Sequence, residues 1–312
     1  MKHITPDYFK EFFCEGAQCP APCAAPVDMT WTRTLGGVCE TGVSMGCPVG
    51  AERILLRPEK TCFLEETDGT PAASLQGLTK DQLALMLDAR KTMDIILQNR
   101  ELPFRTDVVL ALTYGAEFDP MIDTGARYAY EELDWGFTEQ PYRQVQAVVQ
   151  LQGGWENKLS DLRNMLAELS RLCRQDEVLV SHLTGTLRML ERISGEEYRV
   201  LRDRFDEAMK HREYLFEQLL VYLVHRHFLA HGEEKTVVPC LRLLAVSFAV
   251  IRAMGIRLWH ETGILTDAVF TDLCWHYARC VEDTPEIRQG LYTAFETSDL
   301  YSRERLQRLL WN

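Results

Sequence analysis

From Thr79 to the C-terminal end the chain follows one pattern: apolar residues return every three or four positions, and strand-type alternation is nearly absent. A period near 3.6 gathers such residues on one stripe of an α-helix, so the pattern restricts this region to packed helices. In the first run Leu83, Met86, Leu87, Met93, Ile96 and Leu97 follow Thr79, a residue type suited to capping a helix N-terminus, and the run ends at Asn99. Further helical runs are read over Arg105 to Ala116, Trp155 to Cys173, Gly195 to Ala230, Val237 to Trp259, Leu265 to Val281, Pro285 to Phe295 and Ser302 to Leu310. Gly125 to Gly154, with aromatics, glycines and one proline, reads as a loop or broken helix. The expected class is therefore all-α, a multi-helix body. At 46% hydrophobic residues the chain has ample material for its core. Val237 to Ile256 is long enough to cross a bilayer, but Arg242 and Arg252 near its middle are costly in hydrocarbon, so it reads as a core helix.

Residues 1–75 differ in character. They are rich in Cys, Pro and Gly and show no sustained period, so loops and brief helices are expected, folded around something other than a large core. Thr, Asp, Gly, Pro, Ala and Ser crowd together between Thr67 and Gln76, which places a boundary there: a small irregular cysteine-rich module at 1–75 and a helical body at 76–312. The opening segment lacks an uninterrupted apolar run and a small-residue cleavage site, so a cytoplasmic protein is expected. A net charge of −12 argues against nucleic acid as a partner, since phosphate binding requires a basic face.

Of the ten cysteines, Cys14, Cys19, Cys23, Cys39, Cys47 and Cys62 fall in the N-terminal module, whereas Cys173, Cys240, Cys274 and Cys280 sit in helical patterns and read as small buried apolar residues. Cys14-x4-Cys19-x3-Cys23 brings three thiols within ten residues. Thiolates so close repel one another unless a cation neutralises them, and a closed site needs a fourth ligand. Cys47 is the first choice, with Cys39 and Cys62 as alternates; reduced cysteines without a metal are the competing reading. The spacing is not that of radical S-adenosylmethionine enzymes, and no dinucleotide-binding glycine fingerprint opens a long helix. His225, His227 and His231 read as cationic residues at a helix end, and Arg279, Glu282 and Asp283 as a solvated helix terminus.

The opening Tyr8-Phe9-x-x-Phe12-x-Cys14-x4-Cys19-x3-Cys23 resembles the start of the flagellin lysine-N-methylase family, whose pattern ends in a Cys-Cys pair. A second block is similar too: Trp31-Thr-Arg33, then Glu40, Val43, the Cys47-Pro48 turn and an Ala51-to-Leu55 helix carrying Arg53. Ala89-Arg90 through Gln98-Asn99-Arg100, the helix holding Phe216-Glu217 and Tyr222, and Leu273 to Glu282 resemble the rest of the family more loosely. Ala24 stands where the family has its second paired cysteine, and a cysteine-bearing segment is missing between Cys23 and Trp31.

The resemblance implies transfer of methyl groups from S-adenosylmethionine to lysine side chains of flagellin, with an iron–sulfur centre on the cysteines; zinc is the alternative metal. Such chemistry needs a neutral amine, rare for a lysine of ordinary pKa, and aromatic walls to steady a sulfonium. Tyr8, Tyr222 and Glu217 are the candidate catalytic residues. Phe12, Trp31, Arg33 and Glu40 are the candidate cofactor contacts. The departures in the cysteine block support a rival reading, a non-catalytic or metal-stabilised helical interaction protein derived from that family; a redox sensor built on Cys14, Cys19 and Cys23 is a third.

Overall fold

The computed structural model describes residues 1–9, 30–68, 77–101, 104–124 and 154–311. Phe12 and the trio Cys14, Cys19 and Cys23 lie outside the described residues, as does nearly all of the 125–154 stretch. Among the described residues 71% are helical, in 11 helices, beside a single four-stranded sheet, so the fold is mainly α.

The sheet corrects the expectation of loops and brief helices near the N-terminus. Strands β1 (Lys2–Pro6), β2 (Thr30–Leu35), β3 (Val38–Val43) and β4 (Phe63–Thr67) stand in the order β2-β3-β1-β4. β2 and β3 form an antiparallel hairpin closed at Leu35 and Val38, and Gly36 takes the positive φ of 58° that so tight a turn favours. β1 joins β3 in parallel and β4 antiparallel. These strands are five or six residues long and carry Thr, Glu, Arg and His, so no clean apolar alternation marked them, and the partners of β1 lie far along the chain.

Helix α1 (Pro48–Leu55) follows the hairpin, with Cys47 at its N-cap and Pro48 in the first turn, where a missing N–H costs nothing. α2 (Lys80–Leu97) begins with the capping box that Thr79 foreshadows: Gln82 N donates to Thr79 Oγ1 at 3.1 Å, and Thr79 N donates to Gln82 Oε1 at 2.9 Å. The amide of Gln82 also donates to Ile122 O in α3 (Phe104–Thr124), which ties the two helices together. α3 runs past the expected end at Ala116 and through Pro120.

The remaining helices are α4 (Trp155–Leu172), α5 (Glu177–Glu191), α6 (Gly195–Met209), α7 (Tyr214–His227), α8 (Val238–Thr262), α9 (Asp267–Val281), α10 (Pro285–Thr297) and α11 (Arg303–Leu310). The single long helix expected over Gly195 to Ala230 is two, α6 and α7. A 3₁₀ turn at Lys210–Arg212 separates them, and Arg212 there reaches across to Leu265 O and Asp267. α5 escaped the sequence reading, although Asp176 caps it and Leu179, Leu183 and Leu190 line its buried face.

α8 is the central helix. It packs against α3, α4, α5, α6, α7, α9, α10 and α11. It is also the one described helix long and apolar enough to cross a membrane, but 89% of that apolar stretch is buried inside the protein. Arg252 is satisfied by Asp206 and Arg242 by Phe295 O. Cys173, Cys240, Cys274 and Cys280 are all buried, as read from their helical settings.

Candidate functional site

Four of the candidate residues read from the sequence, Trp31, Arg33, Glu40 and Tyr222, meet where the β2–β3 hairpin and α1 lie against α7, α2 and α9. Arg33 and Glu40 are directly opposed across the hairpin, which places both side chains on one face of the sheet. Trp31 lies over its own cross-strand partner Gly42, where a Cβ would sit 2.7 Å from the indole Cζ2, so glycine is required by the close approach.

Glu40 is 1% exposed and forms an ion pair with Arg90 of α2, itself 2% exposed. Arg33 lies 3.8 Å from the same carboxylate and donates from Nη2 to Arg226 O of α7 at 2.5 Å. Burial pulls Arg33 and Arg90 each down to about 10, with Arg226 adding to the effect on Arg33. One turn along α2, burial pushes Asp94 up to about 7 against the pull of Arg90. His225 inserts between Trp31 and Phe63, with ring centroids at 5.0 and 4.6 Å. Burial and the neighbouring Arg90 drive it well below the usual histidine range, so it is neutral.

α7 carries the layer towards α9. The Tyr222 hydroxyl accepts from Met45 N at 3.2 Å, which fixes the turn before Cys47. Next to it lies Glu282, 1% exposed, whose Oε2 is 3.1 Å from His227 Nε2. This corrects the expectation of a solvated helix end. Burial raises Glu282 to about 7, with Arg226, Tyr222 and Arg288 opposing the rise, and drives His227 well below its ordinary value. Asp283 receives Ser44 Oγ at 3.3 Å; burial, then the Glu282 charge, lifts it to about 6. Gly46 leaves room for this contact, since a Cβ there would meet Asp283 Oδ2 at 1.8 Å. Trp275 of α9 donates to Gly46 O at 2.8 Å, and the Arg226 guanidinium covers Trp31 at 4.8 Å.

The result is a buried layer with aromatic walls, arginines and carboxyls whose protonation lies close to neutral pH. Several of its polar atoms have no hydrogen-bond partner in the protein: Trp31 Nε1, His225 Nδ1 and Glu282 Oε1. Buried polar groups are normally satisfied, so this concentration makes the layer the candidate site.

Of the candidates, Trp31, Arg33, Glu40 and Tyr222 meet in this layer. Tyr8 does not: it is buried under the Arg57 guanidinium, 5.2 Å from its ring, and its hydroxyl is raised above the ordinary tyrosine range by burial and Asp7. Glu217 is five residues before Tyr222 on α7 and takes two 2.8 Å hydrogen bonds from Arg100. Cys47 is buried at the start of α1, Cys39 is half-buried on β3 and Cys62 is exposed. Among the described residues no group of three or more His, Cys, Asp or Glu is arranged to hold a metal ion. His227, Arg226, Glu282 and Asp283 were missed as site residues. The signal was present in the polar residues closing two otherwise apolar helices, but a helix end looks solvated until its neighbour is known.

The fold and the layer define a mainly α protein with a buried polar layer at its junction with a small sheet. The FliB lysine N-methylase C-terminal domain matches residues 90–309 of the chain, and the protein belongs to that family. No curated protein and no solved structure is detectably similar to it.

Proposed function

We propose that this chain transfers methyl groups from S-adenosylmethionine to lysine side chains of flagellin, in the cytoplasm. The family match over residues 90–309 carries the reading. The geometry supports it, because Trp31, Arg33 and Glu40 from the N-terminal part meet Tyr222 and Glu282 from the matched region in one buried layer.

S-adenosylmethionine, when bound, supplies an electrophilic methyl on a sulfonium. The residues of the layer fit such a molecule in kind. Trp31, His225 and Tyr222 are aromatic groups that steady a sulfonium, Arg33 suits its carboxylate, and the unpartnered Oε1 of Glu282 suits an amino or hydroxyl donor. Phe12 is proposed as a further contact. The protein's other task is to keep the attacking lysine neutral, and a carboxyl raised by burial accepts a proton more readily than an ordinary one.

Cys14, Cys19, Cys23 and Cys47 are proposed to hold an iron–sulfur centre, with zinc as the alternative. The thiol chemistry of the set supports this: Cys47 is a buried thiol fixed at a helix start. Ala24 and the missing cysteine block favour the second reading, a non-catalytic relative that uses its helices for interaction.

Anaerobically purified protein should contain iron with sulfide and, given S-adenosylmethionine, should add methylene-mass increments to flagellin lysines by mass spectrometry. Replacing Cys19 or Cys23 by Ser should abolish both with helical content preserved. Protein that neither binds S-adenosylmethionine nor methylates flagellin belongs to the second reading.

A further inference from the structure

Among the described residues, α5 and the last turns of α8 enclose an open groove of about 920 Å³. Its α5 side is a single stripe, Glu177, Ser181, Thr184, Arg188 and Arg192, whose steps of three or four residues keep them on one face of the helix. Arg257 of α8 lies across Gly185 in the middle of the groove, where a Cβ would come within 3.2 Å of its Nη1. It donates to Glu261 at 2.8 Å and to His182 Nδ1 at 2.9 Å. Arg174, Arg188 and Arg192 are exposed, and among the described residues their side chains take part in no ion pair or hydrogen bond. The groove thus sets four arginines against two glutamates, on a chain whose 46 acidic residues outnumber its 34 basic ones. Arg188 and Arg192 stand about 6 Å apart along the helix and repel each other, a repulsion that a carboxylate set between them removes. Val180, Met189 and Ile193, packed on the core, give the groove an apolar floor.

We propose that this groove docks an acidic segment of a partner protein, held extended, with aspartate or glutamate at alternate positions. A guanidinium takes a carboxylate by two parallel hydrogen bonds, which suits arginine, rather than lysine, to such a partner. Alternate side chains of an extended chain stand about 6.8 Å apart on one side, close to the step of about 6 Å between Arg188 and Arg192. From Glu177 to Arg192 the stripe is about 22 Å long, which about seven extended residues span. The intervening side chains of the segment meet the floor of Val180, Met189 and Ile193. Glu177 and Glu261 interrupt the positive charge, so evenly spaced phosphates match the groove less well than carboxylates alternating with uncharged side chains, and a net charge of −12 opposes a nucleic acid. None of these residues belongs to the buried layer, so the docking site stands apart from the chemistry proposed there.

The probe is a fluorescein-labelled octapeptide with glutamate at alternate positions and valine or serine between, titrated with the whole chain and followed by fluorescence anisotropy. It should bind, and raising salt from about 50 to about 300 mM should weaken binding about tenfold. The same peptide with glutamine for glutamate should not bind. Arg188→Glu should weaken binding about fivefold, and Arg188→Glu with Arg192→Glu at least about 20-fold. Both side chains are exposed, so helical content and thermal melting should stay close to wild type. Arg303→Glu, the same change of charge at an exposed arginine of α11, should alter binding by no more than about twofold. Failure of the glutamate peptide to bind, equal binding of the glutamine peptide, or an equal loss in Arg303→Glu overturns the proposal. A thymidine octanucleotide that binds more tightly than the peptide and displaces it overturns it too, and gives the groove to nucleic acid.

Discussion

His227 Nε2 lies 3.1 Å from Glu282 Oε2 in the interior, joining the end of α7 to the end of α9 across 55 residues of sequence. Both groups are almost wholly buried, and burial acts on them in opposite senses, raising the acid to about 7 and keeping the imidazole neutral.

The pair has a pH signature. Glu282 is raised from 4.5 to about 7, so the folded chain holds a proton that the unfolded chain releases at lower pH. Its stabilising contribution is complete below the ordinary carboxylate pKa and is lost as pH rises through about 7. His227 works the other way, favouring the folded chain less as pH falls below about 6.5. Glu282→Gln removes only the first effect. Its stability relative to wild type should therefore improve from about pH 5 to about pH 8, by on the order of 3 kcal/mol. Thermal melts across that range check this, and a constant difference would refute it.

The Glu40–Arg90 ion pair predicts a strong asymmetry between single and double changes. Removing one partner leaves Glu40 with only the more distant Arg33, or Arg90 with only Asp94, so Glu40→Gln or Arg90→Met alone should cost about 1–3 kcal/mol in urea unfolding. Glu40→Leu combined with Arg90→Met removes both members of the close pair, leaves Arg33 on Arg226 O, and should recover part of that loss. If the double variant is no more stable than either single one, the pair is not the source of the cost.

Gly42 predicts a local effect with a distant consequence. In Gly42→Ala the new Cβ must displace the Trp31 indole, which is packed between Arg226, Arg33 and His225. Overpacking of this kind costs about 1–3 kcal/mol. S-adenosylmethionine binding should weaken with it, because the displaced ring belongs to the layer. Gly77→Ala serves as the contrast: its φ of +85° disfavours alanine, yet no atom lies within 4 Å of the added Cβ. Stability should fall there with cofactor binding unchanged. Equal binding losses in both variants would contradict this role for Trp31.

Helices were legible wherever local sequence states both a stripe and a cap. Thr79 with Gln82 and the run to Leu97 is the clearest instance, because a capping box and a 3.6 period depend only on residues within a few positions. Trp155–Leu172 and Pro285–Thr297 were legible for the same reason. The turn at Lys210–Arg212 was not, since the partners that hold Arg212 stand more than fifty residues away. The strands were missed because β1 finds β3 and β4 only after long loops close, and nothing near Lys2–Pro6 announces that pairing.

The sequence by itself therefore determined the mainly α class, the central buried helix and the family resemblance, all properties carried by neighbouring residues. Tertiary structure alone decided which polar residues came together in the buried layer. Trp31, Arg33 and Glu40 could be named from their block, but only the packing of the hairpin on α7 and α9 placed them with His225, Tyr222 and Glu282. The physical reason is desolvation. A carboxylate at a helix end is an ordinary solvated charge until another element covers it, and its pKa, its unmet hydrogen bonds and its chemistry follow from that covering.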